Sequence, residues 1–297
     1  MSNGTSALRG WHATGWPVTL SNMTSTAPSL ETILHRLLEG ILLRLSRGAN
    51  AGEFILRGGM LMRHWFRPLA RPAGDLDLVA TFPFTPRGKP GDFTDEATRR
   101  FLPILADQTI HDGVTFDLER TRAQGIWLET TYPGVRVFTS GVVDGTEIDF
   151  NVDIASGPYP RPDPVFGAIS TACGEDARIW MCRPETIVGQ KMQALCHLGM
   201  LSWRPKDLND LRLLLIRLPM ENTVLREAIA AYMADLGRTT DDARTLFGPS
   251  SWWSMKLSSA RWFDFAKASC EQEVPKDLAA VVAEVAARLV PVLEGLP

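Results

Sequence analysis

The stretch FILRGGMLMRHWFRPLARPAGDLDLVATF, Phe54 to Phe82, decides how the rest of the chain is read. Its opening, with Glu53 before it, reads as a short buried strand. Gly58 and Gly59 then turn the chain into a helix, MLMRHWF, which stops before Pro68. DLDLVATF is the next strand. Side chains alternate along a strand, so Asp75 and Asp77 share one face while Leu76 and Leu78 enter the core. Two carboxylates on one face repel each other unless a cation or a shared proton lies between them. A hard divalent cation such as Mg2+ is the simplest partner, since it wants oxygen ligands and takes the rest from water and phosphate. A glycine turn between a strand and a helix lets backbone N–H groups approach phosphate oxygens.

A third carboxylate is available further on. In GTEIDFNVDIASG, Gly145 to Gly157, the residues Glu147, Asp149, Asn151 and Asp153 fall on one face. Ile148, Phe150, Val152 and Ile154 fall on the other, which is the period of a strand. Asp149 or Asp153 would complete a two-metal site, with ions ~3.5–4 Å apart holding attacking and leaving oxygens in line.

Working outward, SLETILHRLLEGILLRL (Ser29 to Leu45) has helical spacing, with Ser29 as its cap and Glu31 in its first turn. Pro83 to Gly91 reads as a loop, and DEATRRFLPILADQTI as a helix despite Pro103. VTFDLERTRAQ and VRVFTSGVV are two more strands, and SGPYPRPDP is a turn-rich close to this half. After about residue 183 the spacing becomes helical, in RPETIVGQKMQALCHL, PKDLNDLRLLLIRL, NTVLREAIAAYMADLG and DLAAVVAEVAARLVPVLEGL. The reading is an α+β chain: a loose arm over 1–28, a mixed sheet with flanking helices over 29–170, and a helical part over 171–297.

Composition narrows the function. An apolar share of 45% and a charged share of 22% suit a globular chain, and a net charge of -3 gives no global field for nucleic acid. The 31 Lys and Arg still allow a local basic patch. Cys173, Cys182, Cys196 and Cys270 form no C-x-x-C pair, which points to reduced, mostly buried thiols rather than zinc or disulfides. The five histidines show no H-E-x-x-H, and no P-loop motif is present. The Ser- and Thr-rich first 28 residues lack the apolar centre of a signal peptide, and no run approaches ~18 apolar residues, so a cytoplasmic protein with no membrane role is expected. Trp252, Trp253 and Trp262 lie near Lys256, Arg261 and Lys267; core packing is favoured there over stacking on RNA.

The order strand, Gly-Gly, helix, D-x-D strand, later Asp resembles the nucleotidyltransferase superfamily with a polymerase-beta-like core. More narrowly it is similar to the AbiEii/AbiGii toxin family. There an hKGGT turn (h, apolar) leads to an R-h-S-x-D-h-D-h strand, matched here by ILRGGM and RPAGDLDLV. The family's h-D-h-x-x-G-x-x-x-x-P-x-P stretch is matched by VDIASGPYPRPDP, which selects Asp153 over Asp149. E-x-h-h-x-x-K-h-x-A-h is matched by ETIVGQKMQAL, with Glu185 and Lys191, and [RK]-D-h-x-D-h by KDLNDL, with Lys206, Asp207 and Asp210. The match spans about Phe54 to Leu211. Met60 stands where the family commonly has Thr or Ser, Ala73 where it has Ser, and Arg57 where it has Lys. Met60 thus removes one hydroxyl ligand for phosphate and leaves the backbone amides in place.

The resemblance implies a nucleotidyltransferase fold and an NTP-dependent, two-metal transferase. Asp75 and Asp77 would hold both Mg2+ ions (Mn2+ as a substitute). Asp153 would hold the catalytic one and accept the acceptor's proton. Gly58 and Gly59, with Arg57 and Arg71, would cradle the triphosphate. Lys191 would reach the β- and γ-phosphates or the carboxylates, and Lys206, Asp207 and Asp210 would face the cleft. It further implies an RNA acceptor such as a tRNA 3′ end and a separate antitoxin, as in type IV toxin–antitoxin and phage-abortive systems. A small-molecule or protein hydroxyl as acceptor, or a non-catalytic nucleotide sensor on the same fold, are the alternatives.

Overall fold

The computed structural model describes residues 28–82, 90–130, 132–249, 251–269 and 274–295, with the backbone alone at 90–92. The expected arm, the loop segment 83–89 and Cys270 lie outside the described residues. The first half runs Leu30–Arg47 (α1), Phe54–Arg57 (β1), Gly59–Phe66 (α2), Leu76–Ala80 (β2), Pro90–Ala106 (α3), Val114–Ile126 (β3), Gly134–Val143 (β4) and Thr146–Ala155 (β5). Then follow Val165–Ser170 (β6), Asp176–Met181 (β7), Pro184–Ser202 (α4), Pro205–Arg217 (α5), Asn222–Ala234 (α6), Thr240–Thr245 (α7), Lys256–Ala268 (α8) and Leu278–Glu294 (α9).

The strands form one mixed seven-stranded sheet in the order β3-β4-β5-β2-β1-β7-β6. β2 runs parallel to β5 and antiparallel to β1, and β1 runs parallel to β7. The chain is therefore α+β, a mixed sheet flanked by helices and followed by helices, as its patterning predicts. α1 packs its apolar stripe on the sheet: Leu37, Leu38, Ile41, Leu42 and Leu45 are fully buried. Ser29 caps it, its hydroxyl accepting from the Thr32 N–H at 3.2 Å. Arg44 on the same helix is buried against Asp112 at 2.7 Å and donates to the carbonyls of Gly40, Asp107 and Val114, so its charge and its donors are satisfied.

Two expectations need correction. The turn-rich SGPYPRPDP does not end the sheet. β6 and β7 follow it as an antiparallel hairpin, and β7 covers the open edge of β1, with the Cys182 N–H donating to the Leu56 carbonyl at 2.9 Å. The expected division between residues 170 and 171 falls inside that hairpin. DARIWM does alternate, with Ala177, Ile179 and Met181 buried and Asp176, Arg178 and Trp180 exposed, but six residues between proline-rich and helical text read as a linker. The helix expected from Asp95 to Ile110 instead runs from Pro90 to Ala106, so Pro90 and Gly91 are helical rather than loop. The short helix α7 and the helix α8 went unread.

The C-terminal tryptophans behave as favoured. Trp253 and Trp262 are buried, and their indole N–H groups donate to the carbonyls of Leu246 and Pro275 at 2.6 and 2.9 Å. Cys182 and Cys196 are buried, which pushes their thiols up to about 12 and about 11, while Cys173 is exposed. No helix among the described residues is long and apolar enough to cross a membrane.

Candidate active site

The register of the sheet aligns four charged residues in one row. Arg57 on β1 pairs with Asp77 on β2, Asp77 with Asp153 on β5, and Asp153 with Arg136 on β4. Asp75 precedes Asp77 by two residues and shares its face. One carboxylate oxygen from each of Asp75, Asp77 and Asp153 lies within 4.8 Å of the others. Asp149, four residues back along β5, is exposed and pairs with Arg120 at 3.0 Å.

Burial and the neighbouring Asp77 push the Asp75 carboxyl above the ordinary range, with Asp153 adding to the push and Lys206 and Arg71 opposing it. Such crowding suits a hard divalent cation, whose charge removes the repulsion and whose ligands are oxygens. Asp153 is buried and holds a fork-to-fork pair with Arg136, Nε to Oδ1 and the terminal nitrogen to Oδ2, both at 2.7 Å. That pair raises the Arg136 pKa above its ordinary value. Asp153 Oδ1 also accepts from the Asn151 amide at 3.3 Å, whereas Oδ2 accepts from Arg136 and keeps a second lone pair for a cation or a proton.

The glycine turn sits against this row. Gly58 has φ +72, and a Cβ there would stand 2.0 Å from Asp77 Oδ2. Only glycine lets the chain turn and Asp77 keep its place. α2 begins at Gly59 with no side-chain cap on its first amides. Arg57 Nε is buried without a hydrogen-bond partner, and Lys206 forms no ion pair among the described residues. Burial lowers the Lys206 pKa, and the charges of Arg71, Lys191 and Arg204 lower it further. Met60, at the departure from the family pattern, is 2% exposed and packs in the core. Gly58→Ala is expected to cost about 2–3 kcal/mol, from left-handed strain plus overpacking on Asp77. Urea melts measure that cost, and a wild-type midpoint would refute the assigned contact.

α4 and α5 supply the opposite wall of the cleft. The Lys191 ammonium lies 2.7 Å from Asp207 Oδ1 and 2.8 Å from Asp210 Oδ2, and Arg204 lies 2.7 Å from Asp207. Arg71 approaches Asp210 at 3.8 Å. The expected KDLNDL carboxylates thus meet Lys191 in a buried cluster instead of lying as a surface helix face. Glu185 is buried and pairs with Arg183 at 3.2 Å. The cleft between the walls has a volume of about 490 Å3 and is lined by the three aspartates, Gly58, Gly59, Arg57, Arg71, Lys191, Lys206 and Asp207. Asp210, Glu185 and Asp149 do not line it. Arg136, Arg204, Trp127 and Tyr132 line it as well and went unnamed from sequence.

These features define a class: an α+β chain with three carboxylates from two strands and a glycine turn gathered at one end of a cleft, an arrangement that could hold a metal ion. The chain belongs to the AbiEii family, whose model (nucleotidyl transferase AbiEii toxin, type IV toxin–antitoxin system) matches residues 40–285. No curated protein matches the chain by sequence. Among solved structures, a Helicobacter pylori protein provisionally named a nucleotidyltransferase is 13% identical, with TM-score 0.49, over 91% of this chain and 97% of that one. JHP933, also from H. pylori, is 14% identical, with TM-score 0.47, over 90% and 94%.

Proposed function

We propose that this nucleotidyltransferase-family chain transfers a nucleoside monophosphate from an NTP to an RNA acceptor, a tRNA 3′ end being the acceptor that the family resemblance implies. The observation that carries the proposal is the convergence of Asp75, Asp77 and Asp153 to within 4.8 Å beside a glycine turn and uncommitted cations. Asp75, Asp77 and Asp153 would hold the Mg2+. A cation held there would supply Lewis acidity and neutralise the charge that develops during transfer. The first amides of α2, with Arg57 and Lys206, bind the β- and γ-phosphates. Lys191 neutralises and fixes the α5 wall. The acceptor oxygen forms a bond to the α-phosphorus, the α–β P–O bond breaks, pyrophosphate leaves, and Asp153 accepts the acceptor's proton.

The working unit consists of the sheet with α1–α3, and the helices from α4 onward close the cleft. A separate antitoxin would restrain the activity in the cytoplasm, as the type IV family implies, and phage defence is the corresponding biological setting.

The test incubates purified protein with labelled NTPs, Mg2+ and total tRNA, beside an Asp75→Ala, Asp77→Ala control. Label in tRNA with the wild type alone supports the reading. Equal label in both samples, or none in either, counts against it. Label on an added aminoglycoside or protein hydroxyl instead would move the acceptor to another class and leave the metal site unaffected.

A further inference from the structure

The chemistry above leaves one wall of the cleft without a role. Trp127, the first residue after β3, has φ 55, a left-handed conformation rarely held by a bulky residue. Thr130 pins it: the Thr130 N–H donates to the Trp127 carbonyl at 3.0 Å, and the Thr130 hydroxyl does so at 2.7 Å. The indole lies over Gly134, where a Cβ would stand 2.6 Å from the ring. Any other residue at 134 would push the ring away. In the sheet register Gly134 pairs with Ala155, and Arg136 with Asp153, two residues along each strand and on the same face. The indole is thus one side-chain row, about 7 Å along the strands, from the Arg136–Asp153 pair.

Trp127 does not behave as a core residue. It is 42% exposed and lines the cleft that holds the aspartates, whereas Trp253 and Trp262 are buried. Tyr132, at the other end of the same turn, lines the cleft too. A rigid aromatic face, half in water and fixed beside carboxylates and arginines, suits a planar ring carried by an anionic chain.

We propose that Trp127 is the base platform of this cleft, its indole face stacking on a nucleobase set beside the three carboxylates, with Tyr132 bounding the same space. This rests on the nucleotidyl-transfer reading. The base belongs either to the incoming nucleotide or to the acceptor's terminal residue, and the ligand chemistry is the same for both.

The test titrates wild type, Trp127→Ala and Trp127→Phe with each NTP plus Mg2+ and with inorganic tripolyphosphate plus Mg2+, and measures the KM for tRNA. Trp127→Gly is the second variant, since glycine adopts the left-handed backbone without strain. Removing the indole is expected to weaken NTP binding or raise the tRNA KM by about 5- to 150-fold, the range of one base–aromatic stack. Tripolyphosphate binding should be unchanged, and Trp127→Phe should recover most of the loss. A loss confined to NTP assigns the platform to the incoming base, and one confined to tRNA assigns it to the acceptor. Unchanged values for both ligands, or an equal loss for tripolyphosphate, would overturn the platform while leaving the transfer reading intact. A wild type that binds neither NTP nor tripolyphosphate would remove the transfer reading and this inference with it.

Discussion

Asp77→Asn is expected to abolish nucleotidyl transfer while leaving the fold intact. The substitution keeps the shape of the side chain against Gly58 and removes one of three crowded negative charges. Stabilisation of transition-state charge by a bound metal amounts to several kcal/mol, and each 1.36 kcal/mol is tenfold, so a loss of about 10³-fold or more is expected. Stability should move the other way. Burial and Asp77 hold the Asp75 pKa above its ordinary value. A carboxyl whose folded pKa is raised binds its proton more tightly when folded. The metal-free protein therefore loses stability as pH rises from the ordinary carboxylate range through the raised value. Asp77→Asn removes part of that penalty, so without divalent ions the variant should melt at or above the wild-type temperature at neutral pH. Saturating Mg2+, at a hundredfold over its Kd, would stabilise the wild type by about 2.7 kcal/mol and the variant by much less. Melting curves with Mg2+ and with EDTA measure both effects. Equal Mg2+ shifts in the two proteins would place the ion elsewhere.

Lys191→Met should be the most destabilising single change in the cleft. The side chain of Lys191 is 13% exposed, and those of Asp207 and Asp210 are 0% and 1% exposed. Methionine matches the length of the stem and leaves the two buried carboxylates with Arg204 and the more distant Arg71 as ion-pair partners among the described residues. Breaking a buried pair costs about 3–5 kcal/mol. At ~2–4 °C per kcal/mol that is roughly 10 °C in Tm. The pH dependence follows from the shifts. Burial pushes the Asp207 pKa up, but Lys191 and Arg204 outweigh it and hold it below the ordinary value. Its contribution is therefore present above the ordinary carboxylate range and is lost as pH falls below that range through the lowered value. Burial pulls Lys191 down, but Asp210 and Asp207 outweigh it and raise it, so its contribution persists at all pH below the ordinary lysine value. In Lys191→Met the carboxylates can be relieved by protons, so the deficit should shrink on acidification. Urea melts across the acid range test this. A deficit under about 1 kcal/mol, or one independent of pH, would show the cluster behaving as an exposed network.

Much of the site was legible because strand periodicity is local. The alternation in DLDLV and in TEIDFNVDIA assigned each aspartate to a face without knowledge of its neighbours. Arg136 was within reach by the same logic. Asp144 and Gly145, both at positive φ, form a two-residue hairpin turn, and Val143 pairs with Thr146. Counting seven residues back and seven forward from that pair brings Arg136 opposite Asp153. β6 and β7 were harder to read because six-residue strands beside prolines carry little pattern of their own.

Local chemistry along the chain accounts for the caps, the strand faces, the glycine turn and the helix stripes, since each depends on residues within a few positions of one another. The pairing of Asp77 with Asp153, the seating of Lys191 between Asp207 and Asp210, and the indole over Gly134 have a different origin. The first joins parallel strands more than seventy residues apart, the second sets the angle between two helices, and the third follows the path of a turn. Parallel pairing and helix packing are chosen by burial of the whole core rather than by neighbours in sequence, and that collective choice turns separate acidic and aromatic residues into one cleft.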